Sequence, residues 1–390
     1  MKSFRNLTLH YSLYQLCYFT VNAATVAFAT SYLLHYGFSA SSAGLILALT
    51  SILSCLLQPA FGSFADHRKD FILPDMLAVL IGISIISFGI IGLFHPVMIL
   101  FGTLYVIGGL CQSITVPLSN SLVATCNEAG YPIDFGIGAG VGSLSYSFAS
   151  LIIGYIMALL GADGMIRIAE IFMIFQLILV LRYPRIDRKK EKEKEENTLS
   201  LWKFFGKNRM FTITLTGVLF LAMTHSMLEN YLINLFQTMK GNSQNVGIAL
   251  FLACISAAPF LLTFEKIQKK TGVRKLMRLA GLFYMIKGVI LYFSFSIWHV
   301  YVAELLQICT YAFLYPSLYY FAKESVPASD MSKGQSVTMA FYTLGLAAGS
   351  WIGGEEIDLI GIHGMYLLAI VFAAIGTLII NCFLSKTTLQ

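Results

Sequence analysis

The run Arg182–Arg209, RYPRIDRKKEKEKEENTLSLWKFFGKNR, is the only long polar stretch in an otherwise apolar chain. It holds ten of the 26 Lys and Arg residues and divides the chain into halves of similar length. Hydrophobic runs of about 18 to 26 residues lie on both sides, the length needed to cross a bilayer core of roughly 30 Å. The stretch therefore reads as a cytoplasmic linker, 182–209, between two membrane-embedded bundles, 1–181 and 210–390. The expected fold is an all-α membrane protein with twelve transmembrane helices in two pseudo-symmetric six-helix bundles.

Composition agrees with that reading. The chain has 390 residues, 57% hydrophobic and 12% charged, with a mean hydropathy of +0.74. Soluble domains carry about 25% charged residues. The net charge of +6 lies almost wholly in short stretches between apolar runs, so it reports topology and no nucleic-acid partner is expected. The seven cysteines are scattered within or beside apolar segments with no CxxC and no His-Cys cluster, which leaves disulfides and zinc without support. They read as small buried hydrophobes, and no metal or cofactor is expected. Lys2 and Arg5 precede a long apolar stretch without a cleavage signature, so this stretch reads as a retained first span.

Twelve spans can be drawn near 9–34, 43–64, 72–94, 96–121, 135–160, 165–182, 210–237, 245–263, 275–297, 299–322, 335–358 and 364–384. Lipid offers the backbone no hydrogen bonds, so such runs must be helical. Placing the amino terminus inside leaves only Arg167, Lys240 and Lys287 of the 26 basic residues away from the cytoplasm. The opposite orientation violates the positive-inside rule. Both termini are expected to be cytoplasmic, in a cell (inner) membrane.

The halves also echo each other. Pro59 and Pro259 lie late in spans two and eight, Pro117 and Pro316 late in spans four and ten, at offsets of 200 and 199. A duplicated six-span unit would give a pseudo-two-fold axis along the membrane normal. Gly136, Gly138, Gly140 and Gly142 in span five, and Gly345, Gly349, Gly353 and Gly354 in span eleven, predict close helix contacts. GIGAGVG does not have the dinucleotide-binding spacing.

After span two, QPAFGSFADHRKD resembles the signature loop between helices two and three of the major facilitator superfamily. The wider text LILALTSILSCLLQPAFGSFAD resembles its oligosaccharide:proton symporter branch, typified by lactose permease. Asp134–Gly136 with Gly142, ENYLINLF in span seven and IGIHGMY between the last two spans are further echoes. The resemblance implies that spans one, four, seven and ten line a central path, and that Gly62, Asp66, Arg68 and Lys69 gate its inner side. Tyr146 stands where the branch carries a sugar-stacking tryptophan, Glu229 where it carries an aspartate, Asn234 an asparagine and Lys287 an arginine. Other positions depart: the acidic sugar ligand of helix four falls on Asn120, the helix-five arginine on Ala139, the helix-eight glutamate near Ile248. The histidine and glutamate of helix ten, central to proton coupling in that branch, fall on Thr310 and Phe313. β-Galactoside transport and that branch's proton pathway are therefore not implied intact.

Ionisable groups inside spans cost about 2.5–3.5 kcal/mol on insertion scales and need partners. Lys287 lies about 12 residues into span nine, about 18 Å from its inner end. Its stem can reach Glu229 or Glu304, and either pairing would bring the charge near zero. His225, four residues before Glu229 on the same helical face, is a candidate proton relay. Arg167 and Glu170 are expected to pair locally, and Glu355, Glu356 and Asp358 to be the solvated end of span eleven. Neutral groups complete the set: Asn22, Thr25, Gln112, Asn120, Gln307, Thr310, Tyr311 and Tyr315 suit a polar, stackable solute such as a sugar or nucleoside. A P-loop, an HExxH and a serine with a nearby base are all missing from the sequence, which speaks against an ATP-driven pump and an embedded enzyme. The expected function is secondary active, proton-coupled uptake of a small polar solute by a monomer. Coupling to another ion, a proton-coupled drug or metabolite exporter, and a non-transporting sensor are the alternatives.

Overall fold

The computed structural model describes residues 7–67, 73–186, 201–327 and 330–384, without the side chains of 63–67, 201–202 and 332. Chains of apolar residues must close their backbone hydrogen bonds locally in lipid, and the described residues are almost all helical, with no strand among them. In order, α1 (Leu7–Asn22) runs through a π turn (Ala23–Ala27) into α2 (Ala29–His35), followed by α3 (Ala40–His67), α4 (Leu73–Phe94), α5 (Met98–Glu128), α6 (Phe135–Leu160) and α7 (Asp163–Leu181). Then come α8 (Leu201–Lys207), α9 (Arg209–Asn230), α10 (Leu232–Thr238), α11 (Ser243–Thr271), α12 (Val273–Tyr292), α13 (Ile297–Leu305), a 3₁₀ turn (Leu306–Ile308), α14 (Tyr311–Ser325) and α15 (Met331–Phe383).

Among the described residues, nine helical stretches are long and apolar enough to cross a membrane, with α13 to α14 (Ile297–Ser325) taken as one of them, or ten if the bent pair Leu7–Ala27 and Ala29–His35 counts as one span. α12, with Arg274, Lys275, Arg278 and Lys287, is not among them. α15 counts once although Gly361, at φ 82° and ψ 173°, interrupts it between the eleventh and twelfth predicted spans. Three predicted spans prove discontinuous: the first bends by 50° at the π turn, the seventh breaks at Tyr231, and the tenth breaks at the 3₁₀ turn.

The chain forms two compact units, one of Met1–Phe38, Leu49–Lys190 and Asn242–Phe251, the other of Ser39–Ala48, Glu191–Gly241 and Leu252–Gln390. In the first unit, irregular backbone is repaired by side chains. The Tyr105 hydroxyl donates to Thr25 O in the π turn at 2.9 Å. Pro117 has no N–H for the carbonyl four residues back, and Gln58 Nε2 donates to that Ser113 O instead, at 3.2 Å. Gly138 and Gly142 let α6 lie against the rings of Tyr11 and Phe19 of α1. The other two glycines of that stripe do not follow the expectation: Gly140 faces open space, and a Cβ on Gly136 would meet only nearby Asp134.

In the second unit Gly345 and Gly349 of α15 lie against the α9 backbone; a Cβ on Gly345 would sit 2.5 Å from Leu219 O. Gly353 rests on Tyr231 and Met227. Asp358 is exposed, as expected, and also caps a helix. Its carboxylate accepts from the backbone N–H groups of Ala40 at 3.1 Å and Ser41 at 2.8 Å, capping the start of α3. Helix starts leave such N–H groups without intrahelical partners, which is why a carboxylate settles there. Cys17, Cys111 and Cys126 are buried as expected for small hydrophobes, whereas Cys382 is exposed.

Candidate solute and ion site

The break in the tenth span builds the site. α13 ends at Leu305, the chain tightens into the 3₁₀ turn, and Thr310 leaves helical geometry at φ −99° and ψ −87° before α14 begins. This turn presents Glu304 and Gln307 to Lys287 of α12. Lys287 Nζ donates to Glu229 Oε1 at 2.5 Å, Glu304 Oε2 at 2.9 Å and Gln307 Oε1 at 3.2 Å. An ammonium has three donors, so all three are used. The sequence leaves Glu229 and Glu304 as alternative partners; the structure joins both to Lys287. Lys287 and Glu304 have no exposed side-chain surface, and Glu229 keeps 14%. The single hydroxyl proton of Thr310 is shared between the same Gln307 oxygen at 3.2 Å and Leu306 O at 3.1 Å, which favours the amide with its oxygen toward the lysine.

Two carboxylates around one ammonium carry one net negative charge if all three ionise. Glu304 Oε1 is buried and receives no hydrogen bond. An aromatic ladder continues from the cluster. The His225 ring stacks on Tyr311 with centroids 5.4 Å apart, and Tyr311 stacks on Tyr315 at 5.1 Å. Tyr315 meets Tyr342 at 5.5 Å. Tyr284 approaches His225 edge-on at 5.9 Å. His225 Nδ1 is buried without a hydrogen-bond partner, so the ring is near Glu229 but not tied through that nitrogen. Asn234 lies in α10, beyond the break at Tyr231, with a buried and partnerless Oδ1.

Sequence reasoning passed over a neutral cluster beside that break. Asn230 Nδ2 donates to Ser226 Oγ at 3.0 Å and Ser350 Oγ at 2.8 Å, and the Tyr231 hydroxyl donates to Ser350 O. Asn230 and Ser226 are one helical turn apart, a spacing visible in the sequence. Their convergence on Ser350 of a distant helix is not.

In the first unit the residues expected to contact the solute are all neutral. Asn22 ends α1 at the π turn, half-buried beside Tyr18. Tyr146 is half-buried in α6, and Asn120 is exposed in α5. Thr25 Oγ1 is engaged with Val21 O at 2.9 Å. Gln112 is buried with both amide atoms unpartnered. Arg167, exposed, lies close enough to Glu170 to interact with it electrostatically, while Glu170 Oε1 is buried without a hydrogen-bond donor in space left by Gly89 and Gly92 of α4. Of the expected gate, Gly62 lies half-buried in α3 with open space around it; the Asp66 side chain, Arg68 and Lys69 lie outside the described residues.

A set of fixed charges and amides on broken helices, buried in an apolar bundle, suits the handling of a polar solute or ion across a membrane. Comparison with known proteins points the same way. The chain is 25% identical to the maltose permease of Geobacillus stearothermophilus over 352 residues, which is 88% of this chain and 85% of that one. It is also 25% identical to the uncharacterized transporter YwbF of Bacillus subtilis over 340 residues, 85% and 81% of the two chains. Two crystal structures of the nucleoside transporter NupG share the fold, with TM-scores of 0.86 and 0.83 at 15% and 17% identity. They cover 97% and 99% of this chain, and 99% and 100% of theirs. The sequence pattern of the Major Facilitator Superfamily matches residues 11–303 and 219–388. Because that match runs through both units and every predicted span, this multi-pass transporter, which is not an enzyme, belongs to the Major Facilitator Superfamily.

Proposed function

We propose that this secondary transporter takes up a small polar solute, a sugar, glycoside or nucleoside, together with protons, by alternating access. The observation that carries the reading is Lys287 held by Glu229, Glu304 and Gln307, an ionic cluster in the apolar interior with more acid than base. Such groups are costly in a membrane protein and are kept where protons or ions must pass. His225, Glu229, Lys287 and Glu304 form the coupling set. Asn22, Asn120 and Tyr146 of the first unit, with Glu229, Asn234, Gln307, Thr310 and Tyr311 of the second, contact the solute. The many neutral donors and acceptors and the stacked tyrosines suit hydroxylated rings. The maltose permease relative and the nucleoside-transporter fold neighbour are named for solutes of these kinds. The bundles 1–181 and 210–390, joined by 182–209, are the moving bodies, with both termini cytoplasmic and Gly62, Asp66, Arg68 and Lys69 at the inner gate of an inner-membrane protein.

The test is uptake of radiolabelled maltose and uridine into proteoliposomes with an acid-outside gradient. Accumulation of either, abolished by a protonophore, is expected. Uptake that is indifferent to the protonophore would remove the proton from the reading; no uptake of a wider sugar and nucleoside panel would remove the solute class.

A further inference from the structure

We infer that the cluster around Lys287 holds one proton between its two carboxyl groups, carried by Glu304 and donated to Glu229, while Lys287 stays charged and neutralises Glu229. The role of this proton in transport rests on the proton-coupled reading above; its presence does not.

Three observations assign it. First, with one ammonium and two carboxylates, a single proton brings the cluster to zero net charge, the form a low-dielectric interior favours. Secondly, the carboxylates are not equivalent. Glu229 takes the shorter contact from Lys287, 2.5 Å against 2.9 Å, and keeps a 14% exposed side chain, whereas Glu304 has none. The acid more removed from water and farther from the cation is the one that gains most from being neutral. Thirdly, Glu304 Oε1 lacks a donor, and Glu229 lies within side-chain hydrogen-bonding reach of Glu304. Two ionised carboxylates would face each other there with only acceptors. A hydrogen on Glu304 turns that contact into an O–H···O bond, as in other carboxyl pairs that share one proton.

The remaining titratable groups around the pair do not replace this proton. From α9 comes His225, stacked on Tyr311 of α14; from α11, Cys254; from α12, Tyr284; from α15, Tyr342 and Tyr366. Each is neutral when protonated or, for His225, would add a second positive charge without supplying the missing hydrogen between the carboxyls. Release is simple in balance: the Glu304 O–H bond breaks, its electron pair stays on the oxygen, the proton passes to water, and the cluster becomes singly negative.

Infrared spectroscopy of the full-length protein in lipid vesicles reads the proton directly. Glu170, the other partnerless buried carboxyl in the described residues, is first removed as Glu170→Gln to clear the background. In that protein at pH 7 a protonated-carboxyl C=O stretch that shifts in D₂O is expected. It should disappear in Glu304→Gln and change frequency in Glu304→Asp. Glu229→Gln should also abolish it, because Glu304 then becomes the sole counter-ion of Lys287. No such band at pH 7, or a band that survives Glu304→Gln unchanged, overturns the assignment, and the first of these outcomes needs no variant at Glu304. A band that behaves as expected in a protein whose uptake is indifferent to a protonophore overturns the proton-coupled reading and leaves the proton in place.

Discussion

Replacing Lys287 by methionine removes all three hydrogen bonds of its ammonium, at 2.5, 2.9 and 3.2 Å, and leaves Glu229 and Glu304 facing each other in a buried site. Breaking a buried ion pair by deleting one partner costs about 3–5 kcal/mol, most of it from the uncompensated charge left behind. At acid pH both carboxyls can take up protons, so the loss should fall toward about 3 kcal/mol; at alkaline pH, where that relief is denied, it should rise toward about 5 kcal/mol. A loss of this size lowers the melting temperature by about 4–6 °C. Adding Glu229→Gln and Glu304→Gln to Lys287→Met should recover most of the deficit, since replacing a whole buried ionic set by neutral groups is often close to neutral. Thermal unfolding in detergent, followed by loss of the monodisperse gel-filtration peak, reads both effects. A single Lys287→Met variant as stable as wild type at pH 8, or a triple variant no more stable than the single one, would refute the reasoning.

Other expectations are simpler. Gly349→Leu should block the approach of α15 to the Met223 backbone and cost about 1–3 kcal/mol or more, while Gly140→Ala, in open space, should fold normally; expression and melting temperature distinguish them. Asp358→Ala strips the cap from the Ala40 and Ser41 N–H groups and should cost about 1 kcal/mol, with Asp358→Asn recovering part of it, read by the same melts. Arg185→Ala should change stability by less than about 1 kcal/mol, because its 3.0 Å contact with Asp75 joins side chains 67% and 39% exposed.

The long spans were readable because apolar run length is a local property, and each predicted segment falls on a helix or on a pair of helices. Lys287 was readable for a related reason: a lone cation in an apolar run demands a counter-ion, and Glu229 and Glu304 were within reach. That it would take both, and Gln307 besides, depended on the turn at Leu306–Ile308, which has neither proline nor glycine to announce it. The π turn at Ala23–Ala27 was equally silent, since what completes it is a hydroxyl from Tyr105, 80 residues on in sequence. The capping role of Asp358 was silent because its partners are backbone N–H groups of Ala40 and Ser41, which a side-chain pattern does not register. Gly136 and Gly140 shared the spacing of Gly138 and Gly142 but face away from α1; spacing alone does not tell which face of a helix finds a neighbour.

The π turn has a practical consequence for anyone probing the first span one residue at a time. A π turn accommodates one extra residue, and each residue of an α-helix advances its face by about 100°. Reactivity or tolerance scored along Leu7–Asn22 should therefore repeat with ordinary helical phase, then slip by one position across Ala23–Ala27 and resume along Ala29–His35 on a displaced face. A helical-wheel plot drawn straight through residues 7–35 would misassign the polar and lipid-facing sides of its second half, and two separate wheels should be drawn instead.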